Sequence, residues 1–136
     1  MLGQARVMGT GVAMKGLCDT NMRVKLTYLL NTARRVANEV CVDVKSALAS
    51  DKKLERKADN DLQQNKQATE YFLNSLEKNI INAETITLTS TDYYNAGTEA
   101  IQHTFILLDN IYDSMLSNLN AFERKLSSKV VFIKIS

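Results

Sequence analysis

Apolar residues recur at alternating steps of three and four along most of this chain, which is the period of an amphipathic α-helix. The first series follows Asp19-Thr20-Asn21, a cluster of good N-cap residues, and predicts a helix over residues 21–50. Its apolar face consists of Leu26, Leu30, Ala33, Ala37, Val40, Val44 and Ala47. One face is thus sustained for about six turns.

A second series predicts a helix over residues 51–81, with Ser50 or Asp51 as its N-cap. Its apolar face consists of Leu54, Ala58, Leu62, Asn65, Thr69, Phe72, Leu76 and Ile80. The polar member Asn65 is more typical of a residue that fixes the register between helices than of a ligand-binding residue.

The join between these two helices has two interpretations. The apolar period runs almost in phase across residues 47–54, which would give a single rod of about 60 residues. A tight turn is favoured, because residues 49–53 offer no large apolar side chain to a continuing helix face.

Residues 82–92 lose the helical period and are rich in threonine, so we expect an extended loop. A third helix follows over residues 91–128, capped by Ser90, Thr91 or Asp92. Its apolar face, on which we expect it to pack, consists of Tyr94, Ile101, Phe105, Leu108, Tyr112, Met115, Leu119, Phe122 and Leu126. The small residues Ala96 and Gly97 predict the close approach of another element.

The two ends of the chain are harder to assign. Residues 1–18 read as a short helix or an irregular arm, and residues 129–136 as an apolar tail. We expect the tail to dock on the bundle; an edge strand and a continuation of the last helix are the alternatives.

The chain has no proline and only five glycines, a composition unlike that of turn-rich sandwiches and barrels. We therefore predict one all-α domain over residues 1–136, an antiparallel three-helix bundle with up-down-up topology.

Charge is distributed unevenly, although the net charge is only +2 and does not indicate nucleic acid or a membrane surface as a partner. Residues 21–50 carry five bases and two acids, whereas residues 79–123 carry six acids and no Lys or Arg. The two segments are expected to attract each other when packed; the alternative is that the acidic one serves a cation. The uninterrupted apolar runs are far shorter than the ~20 residues of a membrane span.

Candidate catalytic residues are missing from the sequence. Cys18 and Cys41 are expected to be reduced and separately placed, which favours a cytoplasmic protein. His103 is the single histidine and lies on the opposite side of its helix from Ile101. No nucleophile elbow, glycine-rich phosphate loop or Glu-x-x-His pair occurs. We expect no enzyme and no catalytic or cofactor-binding residue.

One pair of residues has the spacing of metal ligands. Asp109 and Asp113 are four residues apart, so both carboxylates lie on one flank of the third helix. Carboxylate oxygens are ligands for hard and transition cations, so a divalent or trivalent metal ion is the candidate cofactor. The alternative is a solvated helix boundary whose acids pair with bases of the first helix.

Residues 35–118 also resemble the PhoU family of helical bundles, which act in phosphate homeostasis or form the cytoplasmic end of sodium–phosphate symporters. The likeness lies in the first hairpin over residues 44–54 and in the second helix over residues 59–76. It extends to Leu108-Asp-Asn-Ile-Tyr-Asp113, which is similar to the family's acid-x-x-x-Asp signature. The resemblance implies that Asp109 and Asp113 are metal ligands. Asn110 and Tyr112 stand where the family usually has Arg and Gly, and the chain contains one bundle rather than two.

These observations lead to two functional hypotheses. The first is a non-enzymatic, PhoU-like regulatory or accessory bundle that binds metal through Asp109 and Asp113 and associates with a membrane transporter. The second is a structural or adaptor subunit that packs its helices into a larger assembly, suggested by the acidic segment, the apolar tail and the polar positions Asn65 and Thr69. Both imply a protein partner or a homo-oligomer.

Overall fold

The computed structural model describes residues 1–135, and all of their side chains except those of residues 118, 121, 122, 126 and 129–135. This part of the chain is all-α and contains no β-strand, as predicted. Its elements are α1 (Leu2–Lys15), α2 (Thr20–Leu48), α3 (Lys52–Leu76), a π-helical turn (Glu77–Ile81) and α4 (Ser90–Ile135). Within the described residues, no helix is both long enough and apolar enough to cross a bilayer.

The first segment of the chain is a helix, not an irregular arm. Helix α1 buries Ala5, Gly9 and Val12 and ends at Gly16, whose φ of 73° is left-handed. The Gly16 amide donates to the Val12 carbonyl at 3.0 Å and so satisfies a carbonyl at the helix end. Of the two alternatives for residues 1–18, the helix is therefore correct, and it contributes to the core.

The α2–α3 connection is the tight turn that the sequence favours, and the single rod is wrong. Helix α2 ends at Leu48, and the Asp51 carboxylate accepts a 3.1 Å hydrogen bond from the Leu54 amide at the start of α3. Asp19 caps α2 in the same way, accepting from the Met22 amide at 2.8 Å. Both caps satisfy amides that would otherwise lack a partner in the first helical turn.

The predicted helix 51–81 changes its hydrogen-bonding pattern near its end. Residues Glu77–Ile81 form a π-helical turn that buries Ile80 and Ile81. An irregular loop follows, as expected, and α4 begins one residue earlier than predicted. Its cap is Thr89 instead of one of the next three residues, because the Thr89 hydroxyl accepts from the Asp92 amide at 3.1 Å.

Contacts between helices α3 and α4 show that they are antiparallel. The Phe72 and Tyr93 rings lie with their centroids 5.1 Å apart, near the end of one helix and the start of the other. Further along the pair, the Asn65 amide donates to the Thr104 hydroxyl at 2.7 Å. This bond between helices agrees with the predicted role of Asn65 in setting the register.

The buried residues form two clusters along the bundle. The upper cluster draws on all four helices, with Ala5, Leu26, Phe72 and Tyr93 among its members. The lower cluster draws on α2, α3 and α4 and consists of Val44, Leu48, Leu54, Ala58, Leu62, Leu107 and Ile111. The predicted three-helix, up-down-up bundle is not confirmed, because α1 adds a fourth helix to the upper half.

The last helix is longer than predicted. Its backbone continues through residues 129–135, the segment expected to be a separate tail. The side chains of residues 129–135 lie outside the described ones, so the docking of this segment on the bundle stays a prediction. Asp113, Ser114 and Ser117 lie beside the start of α3. From residue 118 onward, α4 therefore extends about 27 Å past the α2–α3 turn.

Candidate functional site

One side of α4 carries large apolar side chains that are open to solvent. Its described members, called the α4 stripe from here on, are Ile101, Phe105, Leu108, Tyr112, Met115 and Leu119. The exposed fraction reaches 62% for Phe105, 65% for Tyr112 and 53% for Leu119. Five of these six residues are exposed and Ile101 is half-buried. The expectation that this apolar face packs in the core is therefore wrong for most of its length.

A different face of α4 packs against the other helices. Its members are Tyr93, Ala96, Gly97, Ala100, Leu107 and Ile111, all of them buried. At 100° per residue this face lies roughly 90° around the helix axis from the α4 stripe. Most of its upper members are small, so α1 and α3 approach closely. The α4 stripe, whose side chains are larger, is left exposed to solvent.

Helix α1 packs beside the first turns of α4, next to the upper end of the stripe. The Arg6 guanidinium carbon lies 4.6 Å from the centroid of the Tyr94 ring, and its Nη1 donates to the Thr98 hydroxyl at 3.0 Å. The Arg6 side chain also fills the space that a Cβ on Gly97 would need. Arg6 of α1 thus lies against this side of α4 in its first turns. From Phe105 onward the same side is open.

The spacing of the stripe is that of a coiled-coil seam. Its members recur at steps of 4, 3, 4, 3 and 4, and Phe122 and Leu126 continue the series in the sequence. The pattern covers residues 101–126, between three and four heptads, a length typical of helices that pair with another helix. This surface is therefore suited to packing against another helix.

The predicted metal ligands lie on the far flank of the same helix. Asp109 and Asp113 are both exposed. Asp113 lines a shallow groove at the start of α3 together with Lys53 and Lys57. No group of three His, Cys, Asp or Glu side chains suited to a metal occurs among the described residues. The structure therefore places Asp113 near bases of α3 instead of bases of the first predicted helix, and the metal role remains a prediction.

A cleft of about 490 Å³ lies between α2 and α3. Bases line it at Arg34, Lys45 and Lys66, and Cys41 lies on its wall. At one end of the cleft, Arg34 forms an ion pair with Glu77 and donates to the Asn74 amide oxygen at 3.0 Å. Cys41 and the buried Cys18 are both free thiols, as expected.

The geometry defines a helical bundle with an exposed heptad seam, and with no metal-ligand cluster in the part of the chain that the structure describes. Comparison with protein-family models, with curated proteins and with solved structures finds no match to this chain. The resemblance to PhoU bundles and the role in phosphate homeostasis that it implies therefore remain predictions.

Proposed function

We propose that this chain is a non-enzymatic assembly subunit, whose α4 stripe packs against an α-helix of another polypeptide. The exposure of the stripe carries the proposal. Six apolar residues at heptad spacing lie on one helix face, and five of them are exposed. Burying a large apolar side chain is worth about 1.5–3 kcal/mol, so a row of them is a strong driving force for association.

The shape of the bundle supports the same function. Helix α1 packs beside the first turns of α4, and the lower core cluster has no member from α1. The lower half therefore has an open position for a further helix. The occupant best suited to it presents its own heptad of apolar residues with basic residues nearby, because residues 79–123 contain six acids and no Lys or Arg.

Site-specific photo-crosslinking tests this function. A benzoyl-phenylalanine at Tyr112 should form an adduct in cells whose cross-linked peptide is an amphipathic helix with heptad spacing. Tyr71 on α3 is a matched control, since its exposed fraction is also 65% and it lies among polar residues such as Gln67 and Asn74. Equal adduct yields from the two positions, or none from Tyr112, would refute the proposal.

A further inference from the structure

The cleft between α2 and α3 has the size of a small-molecule site. We propose that it binds a small organic anion, in which a carboxylate or phosphate group is attached to a flat apolar body. The cleft volume of about 490 Å³ falls within the roughly 300–1,000 Å³ of ligand sites in proteins. The α4 stripe contributes no residue to the described lining, so this site is independent of the assembly function.

The walls of the cleft combine apolar surface with a few polar groups. The apolar lining consists of Ala37, Cys41, Val42, Leu62 and Leu73. Sites for small organic molecules have this composition, in which apolar walls hold the body of the ligand and a few polar groups fix its orientation. A bare inorganic ion would leave these walls uncovered.

Thr69 supplies a buried hydroxyl that no described residue satisfies. Its side chain is only 6% exposed and lines the cleft. The hydroxyls of Thr10, Thr32, Thr98 and Thr104 each donate to the carbonyl four residues earlier in their helices. Thr69 makes no such bond, nor any other to the described residues. A buried hydroxyl without a partner is costly, and a ligand in the cleft that accepts its hydrogen bond would remove that cost.

The charged residues of the lining select an anion. Lys45 on α2 and Lys66 on α3 have no ion-pair partner among the described residues. Arg34 is already paired with Glu77. Glu70 is the one acid in the described lining. Two unpaired ammonium groups thus outnumber one carboxylate, and each ammonium has three donors for the oxygens of an anion.

The course of the two helices brings these groups to one end of the cleft. Arg34 contacts Asn74 at the other end, and at 1.5 Å per residue Lys45 lies about 16 Å further along α2. Lys66 lies about 12 Å from Asn74 along α3, and Thr69 lies one turn from Lys66 on the same flank. We expect the anionic group to bind between the two lysines and the Thr69 hydroxyl.

The dimensions of the cleft favour a small molecule over a helix of another protein. The Arg34 guanidinium bridges α2 and α3 at one end of the cleft, through Asn74 and Glu77. A helix about 10 Å across would fill 490 Å³ with little more than one turn. A molecule of the size of a naphthalene ring fits without separating that bridge.

NMR titration of the isotope-labelled full chain tests the site, with 1-naphthoate and 1-naphthyl phosphate as probes. Each probe should shift the amide signals of residues 37–45 and 65–70 along a saturable curve. The neutral 1-naphthalenemethanol and inorganic phosphate should each bind about tenfold more weakly, because one lacks the charge and the other the apolar body. No saturable shift from either anionic probe at millimolar concentration would overturn the inference, as would shifts confined to the α4 stripe.

Two double variants separate the lysines of the cleft from positive charge in general. Lys45→Gln/Lys66→Gln should weaken the binding of both anionic probes about tenfold and leave that of the neutral alcohol unchanged. Lys53→Gln/Lys57→Gln is the matched control, since it removes the same charge from a different groove at the start of α3. This control should bind both probes as the parent does. Equal losses of affinity in the two double variants would overturn the inference.

Thr69→Val tests the buried hydroxyl with a side chain of the same shape. The affinity for 1-naphthoate should fall about three- to tenfold, the effect of one hydrogen bond. The thermal midpoint of the free protein should stay the same or rise, because the hydroxyl has no partner among the described residues to lose. An unchanged affinity, or a lowered midpoint, would overturn the inference.

Discussion

The Tyr93 ring occupies the space directly beside Gly9, where a side chain on α1 would otherwise stand. The Tyr93 hydroxyl donates to the Ala5 carbonyl at 2.6 Å, which fixes the ring in a fully buried position. This contact joins the first helix to the last, 88 residues apart in the chain. It explains why α1 belongs to the core.

We expect Gly9→Ala to destabilise the protein by about 1–3 kcal/mol, because the added methyl group overlaps a ring that cannot move away. The ~1 kcal/mol that alanine gains over glycine in a helix offsets part of this cost. Denaturant unfolding followed by circular dichroism measures the change.

Gly11 is the matched control, since it lies in the same helix and a Cβ there has open space around it. Gly11→Ala should stabilise the protein by roughly 0.5–1 kcal/mol. If both substitutions shifted stability equally, the close packing of α1 on Tyr93 would be wrong.

Tyr93 should also make stability depend on alkaline pH. Burial raises the pKa of its phenol above the ordinary 10.0, because the phenolate is disfavoured away from water. The unfolded chain loses this proton near pH 10 while the folded protein retains it. The contribution of the buried neutral phenol to the free energy of unfolding is therefore complete below pH 10 and is lost as pH rises beyond it.

The variant Tyr93→Phe separates this effect from the hydrogen bond. At pH 8 it should cost about 0.5–1.5 kcal/mol through loss of the bond to Ala5. The difference in unfolding free energy between the parent and the variant should narrow by pH 11. A difference in unfolding free energy that stayed constant from pH 8 to pH 11 would contradict the raised pKa of Tyr93.

The Arg34–Glu77 pair should make stability depend on acidic pH. The hydrogen bond and charge of Arg34 lower the pKa of Glu77 below its ordinary 4.5. The contribution of the Glu77 carboxylate to the free energy of unfolding is present above pH 4.5 and is lost as pH falls through the lowered pKa. Glu77→Gln should thus be less stable than the parent at pH 7 and equal to it near pH 2.

A surface pair within α3 supplies the control for that experiment. Lys52 and Glu55 lie 3.2 Å apart, and the lysine side chain is 77% exposed. Such exposed pairs contribute little to stability, so Glu55→Gln should change it less than Glu77→Gln at pH 7. The reverse order would refute the role of Glu77 in joining α2 to the π-helical turn.

The metal prediction for Asp109 and Asp113 has a direct test. Two exposed carboxylates without a third ligand nearby in the described residues leave water to complete the coordination sphere. We therefore expect calorimetric titration with Mn²⁺ or Zn²⁺ to show at most weak binding, which Asp109→Ala/Asp113→Ala abolishes. Tight binding that survives this double substitution would exclude the pair as the site.

Local chemistry made several features predictable from the sequence. Asp19 and Asp51 cap helices because a carboxylate three residues before an amide satisfies it without help from distant residues. The turn at residues 49–51 follows from the lack of apolar bulk there. The role of Asn65 is also recognisable, since an amide within an apolar face needs a polar partner on a neighbouring helix.

Tertiary packing decided which side of α4 is buried. The sequence by itself determined that α4 is a helix and that Phe105, Leu108 and Tyr112 share one face. It did not determine that this face remains exposed, because α4 carries a second face, rich in small residues, about 90° away. Close packing by α1 and α3 favours the face where Gly97 and Ala100 let backbones approach, and leaves the larger side chains outside. Helix type depends on local spacing, whereas burial depends on the fit between distant segments.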